Sequence, residues 1–310
     1  MIYPNKPIIL PEKSAPQLIV VVDTEKEFDW SKPPDSNATS VTAISDIYKV
    51  QDILNEYGIF PCYVVDYSVA SNEQSVAPLR EYLANGQCEI GAHLQPWVNP
   101  PTGEQLTFSN MYPGNLSFEM ERDKLNCLKK QIESSFGESP KTYKAGRYGV
   151  GVNTTQILQE LGFTIDASVC TGFDYRKDGG PNFSNATCDP YWFGHDDSLL
   201  EIPLTGGFVG MAGRMLRPLY DIAGHLSLVK ARELLSHLSI VDRLMLSPEG
   251  YSPVDHRKLT KHLYSKGLRT FTWNFHSPSV VPGMTMYTQT AKEVSEFLDS
   301  FKYYFDFFFG

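Results

Sequence analysis

The chain has 310 residues, enough to bury a sizeable core as one barrel-sized domain or two ordinary ones. Its 42% hydrophobic and 20% charged residues are those of a folded globular protein and exclude a disordered one. A net charge of −9 argues against nonspecific binding to nucleic acid or an anionic membrane, both of which need a basic face, and favours a neutral or cationic substrate.

The opening "MIYPNKPIILPEKSAPQLIVVVD" has Pro4, Pro7, Pro11 and Pro16 around a short apolar run, so it lacks the apolar centre of a secretory signal. No run approaches the roughly 18 apolar residues of a membrane span. The expected location is cytoplasmic, with no membrane span and no nucleic acid among the partners. Cys62, Cys88, Cys127, Cys170 and Cys188 are odd in number and widely spaced, which fits reduced thiols better than a zinc knuckle or disulfides. The sequons at Asn37, Asn115, Asn153 and Asn185 would matter only in a secreted chain.

One arrangement recurs along the chain: a helical stretch, a glycine that closes it, and a short strand. "LIVVVD" is the first strand. Within 45–57, Ile47, Val50, Leu54 and Tyr57 share a helical face, Gly58 can close the helix in the left-handed conformation, and the strand "IFPCYVVDY" follows. The same order appears in "LREYLANG" before "CEIGAHL", "TTQILQELG" before "FTIDASV", and "DHRKLTKHLYSKG" before "LRTFTWNFH". Almost wholly apolar strands alternating with helices predict a parallel sheet covered on both faces, in an α/β barrel or doubly wound sheet. The polar, Gly- and Pro-rich segment 172–198 reads as a long loop. The final "AKEVSEFLDSFKYYFDFFFG" places Val294, Phe297, Leu298, Phe301, Phe305 and Phe308 near helical spacing, as in a helix docked on the body. No long linker divides the chain, so one domain over 1–310 is expected, with its core at about 18–309.

In parallel α/β proteins the site lies at the carboxyl ends of the strands. Asp23 and Glu25 end "LIVVVDTE", Asp66 ends "PCYVVD", His93 ends "CEIGAHL", Lys144 and Arg147 follow a strand near Thr142, Asp166 lies in "FTIDASV", and His276 ends "TFTWNFH". Carboxylates, imidazoles and cations gathered there could form a hydrolytic metal site, in which a divalent ion lowers the pKa of a bound water. An unligated carboxylate could then take the proton and an imidazole return one to the leaving group. Each residue also has a structural alternative. Asp23 could cap a helix, His93 could be a hydrogen-bonded core histidine, Arg147 could bridge loops, and Asp66 reads first as a strand-end cap. Trp97, Tyr148 and Trp273 could be core aromatics or a sugar-binding platform. His195, His225, His237, His256 and His262 fall in predicted loops or on helix surfaces.

The ordered series "VVDTEKEFDW", "EIGAHLQPW", "YKAGRYGVG", "FTIDASV", "LLEIPLT" and "FHSPSVVPGMTMYT" resembles the polysaccharide deacetylases of the NodB-homology type, carbohydrate esterase family 4, and within it a WalW-like branch. The resemblance implies a distorted (β/α)7 barrel that removes N-acetyl groups from amino sugars with a divalent metal, commonly zinc. It implies Asp23 as the general base, Glu25 and His93 as metal ligands, Lys144 or Arg147 as the cation that orients the base, Asp166 in the fourth motif, and His276 as the proton donor to the amine. Trp97, Tyr148 and Trp273 are candidates for contact with the sugar.

The second motif departs from the family pattern. Where the common pattern has another histidine four residues on, this chain has Trp97, and where closer relatives read H-L-H-P-W it has Gln95. An amide oxygen is a weaker zinc ligand than imidazole. Either Glu25, His93 and the Gln95 carbonyl hold the metal with reduced affinity, or the site no longer holds one. The expected activity is therefore metal-dependent deacetylation of an amino sugar in a glycan or glycan precursor. The alternatives are a degenerate fold that binds the acetylated sugar without turnover, and a glycosidase pairing Asp23 with Glu25 or Asp66.

Overall fold

The computed structural model describes residues 6–29, 32, 34–209 and 242–310. After a two-residue edge strand, β1 (Lys6–Pro7), the apolar run becomes β2 (Gln17–Thr24). Val20, Val21 and Val22 are all buried, because helices and side chains cover this strand on both faces. The strands β3 (Cys62–Val65), β4 (Glu89–Leu94), β5 (Thr142–Ala145) and β6 (Ile165–Asp166) follow in turn, then β7 (Tyr191–Phe193) and β8 (Leu199–Glu201). With β11 (Thr270–His276) they form one sheet in the order β1-β7-β8-β6-β5-β4-β3-β2-β11. From β8 across to β11 every pair is parallel; β7 and β1 run antiparallel at the far edge. Two further strands, β9 (Gly206–Val209) and β10 (Asp242–Met245), pair antiparallel as a small separate sheet.

Helices stand at each of the glycine signals and over the final apolar stripe, and two others stand where the sequence reading placed none. They are α1 (Tyr48–Glu56), α2 (Tyr67–Ala70), α3 (Glu73–Ala84), α4 (Phe118–Phe136), α5 (Thr154–Leu161), α6 (Pro253–Tyr264) and α7 (Ala291–Phe309). Gly162 ends α5 at φ 76° and Gly137 ends α4 at φ 78°, a conformation that costs any other residue strain. The 19-residue α4 is absent from the sequence reading; its start is marked by Ser117, whose hydroxyl accepts from the Met120 N–H. The expected loop over 172–198 is only partly one. It contains β7, because Tyr191 and Phe193 have a buried apolar face to give to β8.

The α/β class predicted from sequence is the one found. The sheet curls, and between β8 and β11 it is bridged by irregular chain rather than by a ladder. The Leu246 N–H donates to the Thr205 carbonyl and the Asn274 N–H to the Leu246 carbonyl, at 2.8 and 3.1 Å.

Helix α7 closes the β11 side. Its Thr290–Glu293 capping box fixes its start, and Phe297, Phe301, Tyr304 and Phe305 are buried. They surround Trp273, whose ring stacks on Tyr304 with centroids 4.5 Å apart and meets Phe301 edge-on at 5.5 Å. Trp273 is therefore a core residue, fully buried on the face of β11 away from the strand-end cavity, and not the sugar contact expected from the sequence. His256, expected on a surface, is also in this core, against the Trp273 ring at 4.7 Å, with Nε2 donating to the Ser247 carbonyl at 2.7 Å. Burial holds its pKa down at about 4, so it is neutral.

Candidate active site at the strand ends

Strand register builds the site. In the β11–β2 ladder His276 lies opposite Asp23, and in the β4–β5 ladder His93 lies opposite Lys144. Four side chains from four strands thus reach one end of the sheet, where parallel strands leave a crevice.

Asp23 is almost completely buried and accepts a hydrogen bond on each oxygen. The Lys144 ammonium donates to both its oxygens at 2.5 and 2.6 Å, and Asn274 Nδ2 donates to Oδ1 at 3.1 Å. Burial alone would raise its pKa. The charges of Lys144, His93 and His276 outweigh burial and hold the carboxyl below its ordinary value. Of the two cations of the third motif, Lys144 is thus the one on Asp23.

His276 stands on the other side of Asp23, with Nε2 3.6 Å from Oδ2. Its Nδ1 meets Glu249 Oε2 at 2.7 Å, its backbone N–H donates to Glu249 Oε1 at 3.1 Å, and Ser279 donates to the same Oε1 at 2.5 Å. Burial opposes a charged imidazole, but Glu249, Glu25 and Asp23 overcome it and raise the pKa to about 9. His276 is therefore protonated at neutral pH. Sequence reasoning missed Glu249; "SPEG" directly after a strand was the available signal.

Glu25, His93 and Gln95 do converge, but not as a ligand set. His93 Nδ1 bonds the Lys144 carbonyl at 3.1 Å, so it carries the proton, and Nε2 lies 3.6 Å from Glu25 Oε2. Gln95 bridges two charges: its Nε2 donates to Glu25 Oε2, and its Oε1 accepts from the Lys26 ammonium. The amide can only lie this way round, because an ammonium has no acceptor and a carboxylate no donor. Lys26 is fully buried, 3.6 Å from Asp66 Oδ2 and 4.3 Å from the centre of the Trp97 ring. Burial holds its pKa below the ordinary lysine value, outweighing the opposing pull of Asp66 and Glu25.

The residues present do not fit the divalent metal that the motifs imply. A catalytic zinc takes three protein ligands. Here Glu25 and His93 offer two, the Gln95 oxygen faces Lys26, and Asp23 is occupied by Lys144. Among the described residues no three His, Cys, Asp or Glu side chains are grouped to hold an ion. The expectation of Gln95 as a metal ligand is therefore corrected: its carbonyl is the end bound to the neighbouring cation.

These groups floor a cavity of about 740 Å³, whose walls include Arg147, Tyr148, Phe173, Tyr175, Arg243 and Tyr287. Arg147 and Tyr148 are both left-handed, at φ 54° and 59°, although neither is glycine. Such strain is retained where surrounding structure fixes it, often at functional sites. Gly146 makes the turn possible, since a Cβ there would lie 2.5 Å from the Leu94 carbonyl. Arg147 Nε is buried and has no hydrogen-bond partner among the described residues. Tyr148 stacks on Tyr175 at 5.3 Å, and Tyr175 on Phe173 at 6.1 Å, giving one wall three nearly parallel rings. Trp97 touches the cavity but is only 3% exposed, and it meets Phe28 in a T-shaped contact with centroids 5.8 Å apart.

Asp166 is not in the cavity. It lies opposite Glu201 between β6 and β8, and accepts from the Ser168 N–H at 3.0 Å and from the Ser168 hydroxyl. Its catalytic expectation is corrected to an indirect one: Ser168 Oγ accepts from the Ala145 N–H at 2.8 Å, fixing the end of β5 just before Arg147. Asp66 caps α2 through the Val69 N–H at 2.9 Å, which is its structural alternative. His195 is exposed beside Asp196, and His225 and His237 lie outside the described residues.

No family model matches the sequence, and no curated protein does. Among solved structures, the chain is similar to a candidate polysaccharide deacetylase from Mycobacterium smegmatis, with a TM-score of 0.53 at 15% identity over 96% of this chain and 88% of that one. A carbohydrate esterase family 4 pseudoenzyme from Bacillus anthracis aligns over 97% of this chain and 62% of its own, with a TM-score of 0.41 and 10% identity. A family 4 acetyl xylan esterase from Clostridium thermocellum, solved with a cobalt ion, aligns over 51% of this chain and 60% of its own, with a TM-score of 0.33 and 17% identity. At such identities the likeness is one of fold, and the first of the three carries it.

Proposed function

We propose that the chain is a carbohydrate esterase family 4 protein of the WalW-like branch, one domain throughout, that removes an N-acetyl group from an amino sugar in a glycan or glycan precursor. The observation that carries this reading is the pairing of Asp23 and His276 at 3.6 Å on the cavity floor, each held by its own buried counter-charge, Lys144 and Glu249. Opposed perturbation of two neighbouring titratable groups is what acid–base chemistry at neutral pH needs.

In the proposed reaction Asp23, ionised, takes a proton from the water that adds to the acetyl carbonyl. The Arg147 guanidinium, which lines the cavity, stabilises the negative charge that develops on the carbonyl oxygen. His276, protonated through Glu249, gives its proton to nitrogen as the C–N bond breaks, leaving acetate and a free amine. The Tyr148–Tyr175–Phe173 wall supplies flat faces for the sugar ring. No step here is routed through a metal.

The second reading, binding of the acetylated sugar without turnover, is favoured by the Lys26–Gln95–Glu25 string. Incubation with acetylated amino-sugar oligosaccharides separates the two. Acetate release that Asp23→Asn abolishes supports hydrolysis, whereas binding to the cavity with no acetate above that variant's level supports the second reading.

A further inference from the structure

Lys26 follows Glu25 directly in sequence, and the backbone gives each a fixed place: Glu25 N–H donates to Ser277 Oγ at 3.1 Å, and Lys26 N–H to Asp66 Oδ2 at 3.1 Å. The Lys26 side chain has no room to turn away. It is fully buried, its ammonium lies over the rings of Phe28 and Trp97 at 4.7 and 4.3 Å, and Asp66 is its ionic partner. From that position it fixes the Gln95 amide with oxygen toward itself and nitrogen toward Glu25.

A divalent ion between Glu25 and His93 would meet two obstacles. The Gln95 group facing it is an N–H donor, which has no lone pair to give. Beyond Gln95 stands a buried ammonium, whose repulsion is little screened in the low-dielectric interior. The two obstacles have one origin, because turning the amide over would leave its NH2 against the ammonium.

We infer that Lys26 and Gln95 act as a pair to close the Glu25–His93 position to divalent cations, the chain's own ammonium standing where a metal would otherwise be the positive charge. The pairing explains why a glutamine is tolerated beside His93: its amide accepts from Lys26 and donates to Glu25 at once. The inference is independent of turnover, since it concerns what the floor of the cavity binds and holds under either reading of the function.

The test is cobalt(II) and zinc(II) binding to the full chain, stripped with chelator and then dialysed against each metal. The signal is the metal content lost on His93→Ala, with the cobalt absorption spectrum as a second readout. The wild-type chain is expected to show no such difference. The double variant Lys26→Gln/Gln95→His, checked by circular dichroism to be folded, is expected to hold about one ion per chain that His93→Ala removes. A stoichiometric His93-dependent ion in the wild type would overturn the inference, as would a folded double variant that stays empty. The wild-type comparison stands by itself should the double variant fail to fold.

Discussion

Glu249 and His276 are joined twice: one carboxylate accepts both the backbone N–H and the ring Nδ1 of the same histidine, at 3.1 and 2.7 Å. This fixes the ring orientation and points Nε2 toward Asp23. It also sets the charge, because a histidine so paired keeps its proton to about 9.

Glu249→Gln keeps the shape and removes the charge. The His276 pKa is expected to fall to about 6.5 or below, since burial is then opposed by less negative charge. An NMR titration of the ring reads this directly, and the alkaline limb of any pH–rate profile should move down with it. The linkage sign follows: a folded pKa raised from 6.5 to about 9 gives stability that is complete below 6.5 and lost as pH climbs through 9. The wild type should lose stability over that window, and the variant should not. An unmoved titration in Glu249→Gln would refute the positioning role.

Asp23→Asn is expected to lower the acetate-release rate by about 10²–10⁴, the usual worth of a general base, while glycan binding survives. Isothermal titration beside the rate measurement separates loss of chemistry from loss of fold. Retained turnover would remove Asp23 from the mechanism.

The carboxylates away from the cavity make a second pH signature. Burial raises Asp166 and Glu121 each to about 7, and raises Glu201 beside Asp166. An acid whose folded pKa is raised favours the folded state while protonated, so this contribution is present at low pH and lost as pH rises from 4 through 7. Glu201→Gln is expected to raise the free energy of unfolding, read by chemical denaturation, more at pH 8 than at pH 5, by a difference on the order of 1–3 kcal/mol. Equal changes at both values would show that burial does not raise the pKa of Glu201.

Trp273 and Tyr175 divide stability from binding. Trp273→Ala should cost about 3–5 kcal/mol in chemical denaturation, the range for a buried aromatic, with glycan affinity unchanged. Tyr175→Ala should do the reverse, weakening affinity by about tenfold through loss of the stacked wall. An affinity loss in folded Trp273→Ala would restore it to the sugar site.

Much of the scaffold could be read from "LIVVVD" and the repeated helix–glycine–strand order, because burial on both faces leaves a continuous apolar run. Asp23, His93, Lys144 and His276 could be read as strand-end polar residues, and the strand register brings them together. What escaped depends on contacts distant in sequence. Trp273 and His276 share β11, and only the packing of α7 decides that the first faces the core. Glu249 lies 27 residues from the histidine it charges. Lys26 was in plain view in "DTEKEF", yet its meaning comes from Gln95, 69 residues on.

The most direct test of the central claim is acetate release from an N-acetylglucosamine oligosaccharide by the wild-type chain and by His276→Ala, both in excess chelator. An acid–base pair sufficient for the reaction predicts acetate from the wild type alone. Equal, background-level acetate from the two would contradict it.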